Sequence, residues 1–218
     1  MINVHEIFYS ISGEVGAVPQ GTPMLFVRLA GCNLNCHYCD TKESKSFAMG
    51  EKHNIEPLAE TIAAYGIRNV MFTGGEPLLQ QFELSKLIDI IEYETECLTQ
   101  YHIETNGTIR PIADIYLRCN MVYDYKIDQD SEMINPSYMY RGKGLQSTIK
   151  IVVGNQQELK KAVEVLNVIH EFCDPSQLAI GTYDPENFPA SKIFNYFKEI
   201  NETKIILNTQ IHKYLGLD

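Results

Sequence analysis

Short apolar runs alternate along this chain with segments of helical periodicity, and that alternation limits the possible folds more than any other feature. Residues 24–29 (Met-Leu-Phe-Val-Arg-Leu), 69–72, 101–103, 121–125, 148–153, 178–180 and 204–207 read as strands. Ahead of them, Ile2, Val4 and Ile7 alternate in a first strand over 2–9. Helical spacing fills the gaps. Pro57 opens a helix to about Tyr65, Leu84, Leu87, Ile88, Ile91 and Leu98 mark a second, and a short one covers 112–118. Leu159, Ala162, Val163, Leu166, Ile169 and Phe172 share one helical face, and Ile193, Phe194 and Phe197 point inward from a helix over 191–200. Six or seven apolar strands joined by helical crossovers imply a mainly parallel sheet covered by helices. No repeat, linker or low-complexity segment divides the chain, so residues 1–218 are expected to form one domain.

The polar punctuation has a regular place in this pattern. A cysteine loop follows 24–29, Thr73-Gly-Gly-Glu-Pro77 follows 69–72, and Glu104-Thr-Asn-Gly107 follows 101–103. Tyr125 and Lys126 end the next strand, Thr182 and Tyr183 another, and Asn208 to Lys213 follow the last. In a parallel sheet or barrel the C-terminal strand ends share one face, where ligands bind.

Within the first of these loops stand Cys32, Cys36 and Cys39, close enough for three thiolates to converge on one inorganic centre. Iron–sulfur clusters and structural zinc normally take four protein ligands, so a trio leaves one metal position open. The alternatives are a zinc site completed by His37 or a distant residue, or three buried thiols. Gly74 and Gly75 let backbone approach a ligand closely, beside the carboxylate of Glu76 and a proline suited to a first helical turn.

Composition narrows the partners. With 18 Lys and Arg against 28 Asp and Glu, a net charge of -10 disfavours nucleic acid and anionic membrane and favours a small molecule. Three of the six cysteines crowd one motif; Cys97, Cys119 and Cys173 are scattered and are expected to pack without chemistry, which is not a disulfide framework. The N-terminal residues carry no basic, then apolar, leader pattern, and no apolar run approaches the ~18 residues of a membrane span. A reduced, cytoplasmic protein is expected.

The cysteine trio and the Gly-Gly-Glu turn together resemble the radical S-adenosylmethionine (SAM) superfamily. That resemblance implies a four-iron four-sulfur cluster on Cys32, Cys36 and Cys39 whose open iron binds the amine and carboxylate of SAM. It implies reductive cleavage of SAM to a 5′-deoxyadenosyl radical, with Tyr38 near the adenine and Gly74, Gly75 and Glu76 at the methionyl amine. The flanks narrow it. Glu6 to Glu14, Phe26 to Leu34, Cys39-Asp-Thr41, Phe72 to Gln80, Glu104 to Thr108 and His212-Lys213 resemble the 7-carboxy-7-deazaguanine synthase family. Its members convert 6-carboxy-5,6,7,8-tetrahydropterin to 7-carboxy-7-deazaguanine with loss of ammonia, on the route to queuosine.

By that resemblance, Glu14 meets the guanidine-like edge of the pterin and Arg28 its carboxylate, roles that suit a two-oxygen acceptor and a planar fork. Thr41 resembles the family's magnesium ligand, a hard oxygen donor; otherwise Asp40 and Thr41 cap the next segment. Lys126 resembles a lysine that meets the SAM carboxylate. Asn106 falls among the cofactor contacts, and Ser12, Glu104 and His212 among the substrate contacts. The implied fold is a partial (β/α)6 TIM-like barrel with an N-terminal strand addition, in a homodimer served by a reductant such as flavodoxin or ferredoxin. Two departures stand out: the family's Gln-Gly-Glu-Gly is Ser12-Gly13-Glu14-Val15, and its serine-proline-lysine run is Asp124-Tyr125-Lys126. The competing readings are a glycyl-radical-enzyme activating protein and a non-catalytic iron–sulfur or zinc-binding regulator.

Overall fold

Every central strand has two lives, and the computed structural model, which describes residues 1–127, 146–172 and 177–217, assigns each side chain to one of them. In β2 (Pro23–Leu29), Leu25, Val27 and Leu29 enter the helix-covered core, while Met24, Phe26 and Arg28 line a cavity on the other face. The same period of two divides β4 (Asn69–Gly74) into Val70 and Phe72 against Met71 and Thr73. It divides β5 (Gln100–Thr105) into Tyr101 and Ile103 against His102 and Glu104. In β6 (Cys119–Tyr125), Met121 and Tyr123 oppose Val122 and Asp124, and in β7 (Ser147–Val153), Ile149 and Ile151 oppose Lys150 and Val152.

β8 (Gln177–Thr182) and β9 (Ile205–Leu207) complete a sheet whose order is β3-β1-β2-β4-β5-β6-β7-β8-β9. Neighbours from β2 to β9 pair in parallel; β1 (Ile2–Ile11) is antiparallel to β2, and β3 (Glu51–His53) antiparallel to β1. Helices α1 (Ile55–Ala64), α2 (Gln81–Glu94), α3 (Ala113–Arg118), α4 (Gln156–Phe172) and α5 (Ala190–Ile200) make the crossovers, and α6 (Ile211–Leu215) ends the chain's regular structure. Among the described residues the parallel run has seven strands, within the six or seven read from the apolar runs, with the anticipated N-terminal addition outside it. Among the described residues the two sheet edges do not pair. The loop after β1 spans the opening instead: Ile211 N donates to Gly13 O at 2.9 Å, Val15 N to Asn208 Oδ1 at 3.0 Å and Gln20 Nε2 to Thr209 O at 2.9 Å.

The sequence reading errs where local geometry overrides periodicity. α1 starts two residues before Pro57, which sits in the first turn where no intrahelical N–H is required. Leu98 lies beyond α2 and is 69% exposed, because Glu96 and Cys97 take φ of 52° and 60° and turn the chain away from the helix axis. Cys97 is accordingly exposed rather than packed, whereas Cys119 is fully buried; Cys173 lies outside the described residues. Phe194 is half-exposed while Ile193 and Phe197 are buried, so the inward stripe of α5 is narrower than expected. β3 carries no apolar alternation and escapes the sequence reading; its pairing with β1 makes it a strand.

One contact sets the spacing between β2 and β4 at the site. A Cβ on Gly75 would lie 2.1 Å from Gly31 O, and on Gly74 2.1 Å from Leu29 O. Both obstacles are backbone and cannot rotate away. Gly75→Ala is therefore expected to destabilise the protein by about 3 kcal/mol or more, read as a lowered midpoint in thermal unfolding; an unchanged midpoint would show that the two loops can part without loss.

Candidate active site

The loops after the parallel strands enclose a cavity of about 630 Å³ at the C-terminal face of the sheet. Cys32, Cys36 and Cys39 line one side of it. They are unbridged; Cys36 is buried and the other two are partly exposed. Gly31, at φ 99°, turns the chain into this loop, and Gly31 N and Cys32 N donate to Ser44 O and Lys45 O, each at 2.8 Å. The amide of Leu34 donates to Cys32 Sγ at 3.5 Å, a contact that supports a thiolate; burial nonetheless pushes the Cys32 thiol up, as do the negative charges of Glu76 and Cys39. Among the described residues no three Cys, His, Asp or Glu side chains gather closely enough to hold a single ion.

Glu76 is placed differently from its expected role. It is fully buried and does not line the cavity. Its Oε1 accepts from Leu78 N at 2.9 Å and Thr105 Oγ1 at 2.8 Å, and its Oε2 from Asn106 N at 2.7 Å. The carboxylate thus caps the turn at Pro77–Gln80 and ties it to the end of β5. Burial raises its pKa to about 7 against those donors. Gly74 and Gly75 do line the cavity. So does Asn106, whose side chain bridges the loops: Nδ2 donates to Asn33 Oδ1 at 3.0 Å, and Oδ1 accepts from Thr108 N and Oγ1.

The floor of the cavity is ionic. Lys150, buried in β7, donates to Glu14 Oε2 at 2.5 Å and Glu104 Oε1 at 2.6 Å and lies 3.5 Å from Asp124 Oδ2. Asn208 and Gln210 also donate to Glu14, and Thr73 to Glu104 Oε2. Burial alone would raise the Glu14 carboxyl, but the charge and hydrogen bond of Lys150 and the two amides outweigh it and hold its pKa at about 2. Lys126 pairs with Asp124 Oδ2 at 2.7 Å and sits 5.7 Å from the centre of the Tyr38 ring. Burial opposes its charge, yet Asp124 carries its pKa above the ordinary value.

The remaining expected residues also face this space. Tyr38 stacks on Tyr183 at 4.4 Å. Arg28 is set by Glu6, 2.6 Å from its Nε, and by the ring of Phe8, leaving both terminal nitrogens of the fork without a partner among the described residues. Thr41 begins a short 3-10 turn without capping it through its side chain, and its hydroxyl lies 3.8 Å from Cys39 Sγ. Ser12 is buried. His212 lies against Gly13, where a Cβ would meet its Nδ1 at 1.8 Å, and burial lowers its pKa. Sequence reasoning missed Lys150, and it set the segments of Thr73, Asn208 and Gln210 on this face without giving those three residues a role. The lone charge in the apolar run Thr148-Ile-Lys-Ile-Val-Val153 was the available signal for the first.

The model of the radical SAM superfamily matches residues 27–170, which span the thiol loop and both carboxylate-bearing strands. A 7-carboxy-7-deazaguanine synthase from Clostridium acetobutylicum is 31% identical over 97% of this chain and 95% of its own length. The chain belongs to that family. A Methanospirillum hungatei protein of the same name is likewise 31% identical, over 99% of this chain and 86% of its own. The crystal structure of QueE from Escherichia coli has a TM-score of 0.67 at 22% identity, covering 96% of this chain and 93% of that one, which shows the shared fold. As a radical SAM enzyme, the chain uses a four-iron four-sulfur cluster and SAM. The three cavity-facing thiols fit the cluster's protein ligands.

Glu76 generates a test. Its raised folded pKa favours the protonated form, so its contribution is fully present below the unfolded value of 4.5 and is lost as pH rises through about 7. Wild-type stability to denaturant should fall across that window through this group. Glu76→Gln should flatten the fall while lowering stability at pH 5 by about 1–3 kcal/mol, since an amide turned toward Asn106 N opposes donor to donor. An unchanged slope would show that Glu76 does not titrate there.

Proposed function

We propose that this protein is a 7-carboxy-7-deazaguanine synthase, a carbon–nitrogen lyase converting 6-carboxy-5,6,7,8-tetrahydropterin to 7-carboxy-7-deazaguanine with loss of ammonia. The observation that carries the reading is one cavity lined by three thiols, by the carboxylates of Glu14 and Glu104, and by a guanidinium with an open fork. Near-complete alignment with relatives of that name supports it. Bound cluster and SAM supply one-electron reduction and hydrogen-atom abstraction; the chain binds, orients and shields.

Glu14 and Glu104 accept from the N–H groups of the pterin's guanidine-like edge, with Ser12 and His212 beside them. The free nitrogens of Arg28 receive the carboxylate, a bidentate match of fork to fork. Lys126 neutralises the carboxylate of SAM, the backbone of Gly74 and Gly75 takes its amine, and Tyr38 covers its adenine. Glu76 and Asn106 act at one remove, holding the loops that make those contacts. The hydroxyl of Thr41, unused as a cap, would be a hard oxygen ligand for Mg²⁺, an ion that would stabilise negative charge on the substrate. The chain acts as a single-domain, cytoplasmic homodimer reduced by a flavodoxin or ferredoxin. No described helix is long and apolar enough to cross a membrane. A polypeptide substrate, as for a glycyl-radical activator, leaves the paired acceptors and the open fork without a use.

Reconstituted, reduced protein given SAM, Mg²⁺ and the carboxypterin should form 7-carboxy-7-deazaguanine, followed by mass spectrometry. SAM cleavage without that product would remove the substrate assignment. Thr41→Val, which keeps shape and deletes the hydroxyl, should lower kcat/KM by about tenfold or more and abolish stimulation by Mg²⁺; retained stimulation would sink the magnesium role.

A further inference from the structure

The ammonium of Lys150 joins three carboxylates from parts of the chain far apart in sequence. Glu14 comes from the loop after β1, Glu104 from β5 and Asp124 from β6, while Lys150 itself is only 3% exposed. A carboxylate offers about four acceptor sites. Glu14 spends three, on Lys150, Asn208 and Gln210, and Glu104 spends two, on Lys150 and Thr73. Each therefore keeps acceptor capacity, and the two are drawn to the same ammonium. We propose that Lys150 is the positioning residue of the substrate site, holding Glu14 and Glu104 together so that their remaining acceptor sites meet neighbouring N–H donors of one heterocycle. This rests on the pterin reading above.

The physical ground is charge compensation in a buried place. Two carboxylates brought this close repel each other, and burial penalises both. Lys126 is committed to Asp124, whose Oδ2 it contacts at 2.7 Å against 3.5 Å for Lys150, and it makes no ion pair with Glu14 or Glu104 among the described residues. Burial holds the pKa of half-buried His212 below its ordinary value, which disfavours the cation there. With Lys150 gone, Glu14 faces Glu104 and Asp124 with only two amides for support, beside a His212 whose charge burial disfavours, and its proton affinity rises. A protonated Glu14 presents a donor where the substrate also presents donors. Recognition then weakens as pH falls.

Lys150→Met keeps the length of the stem and removes the charge. In the reconstituted enzyme, KM for the carboxypterin should rise by about tenfold or more at pH 8 and further at pH 6, relative to wild type at each pH, with a smaller change in kcat. Lys150→Arg should restore most of the loss and its pH independence. A penalty equal at both pH values and not relieved by arginine overturns the proposal, because a merely structural lysine behaves so. Carboxyl ¹³C titration of Glu14 in the substrate-free full chain reads the linkage without turnover. Glu14 should stay ionised at pH ~4 in wild type, below the ordinary glutamate value, and titrate upward in Lys150→Met. If that variant does not fold, the wild-type titration decides: a Glu14 that titrates in the ordinary range overturns the proposal. Should the wild-type enzyme not bind carboxypterin, the substrate reading fails, and the titration still judges the role of Lys150 separately.

Discussion

Two backbone hydrogen bonds, from Gly75 N to Leu29 O at 3.0 Å and from Glu76 N to Gly31 O at 2.8 Å, fasten the turn after β4 to the start of the cysteine loop. They extend the β2–β4 pairing beyond the strands, into the region where regular structure ends. Only residues without a side chain fit between these backbones. From that seam, Glu76 reaches to Thr105 and Asn106, and Asn106 reaches back to Asn33. Hydrogen bonds thereby tie three loops to one another, and the loop that carries all three thiols is held both by the turn after β4 and by Asn106.

The cavity carries a second organisation, of charge. A chain with a net charge of -10 places Lys126 and Lys150 on its floor against Glu14, Glu104 and Asp124. Buried ions of one sign alone would neutralise by shifting their pKa values; interleaved, they stay charged and in fixed places. The surplus of acceptors at this end matches a donor-rich heterocycle. The free fork of Arg28, held by Glu6 and Phe8, is suited to an anion.

Much of this architecture was legible because strands and loops are written in different alphabets. The apolar runs at 69–72 and 101–103 and the polar stretches after them fall where the structure has β4, β5 and their loops. What could not be read has identifiable causes. β3 is a strand by virtue of its partner, with nothing in Glu51 to His53 to announce it. Leu98 fits a helical period that two left-handed residues terminate. Glu76 was visible as a carboxylate in the right turn, but its direction is decided by donors on β5, thirty residues away. Lys150 was overlooked since a single lysine in a strand is ordinarily a solvated one; only the concave face makes it a buried centre.

The loop that spans the open edges of the sheet has a consequence for how the protein is made. The thiol loop, the Gly-Gly-Glu turn and the Asn106 loop all lie within the first 108 residues and contact one another there. Glu14, by contrast, is finished by Asn208 and Gln210, contacts that span 194 and 196 residues. Closing such a span carries a loop-entropy penalty that short-range contacts avoid. During synthesis the thiol loop and the seam beside it can therefore form while the chain is still growing, whereas Glu14 waits for the last residues to arrive. One wall of the cavity can be in place before the other has its full set of partners.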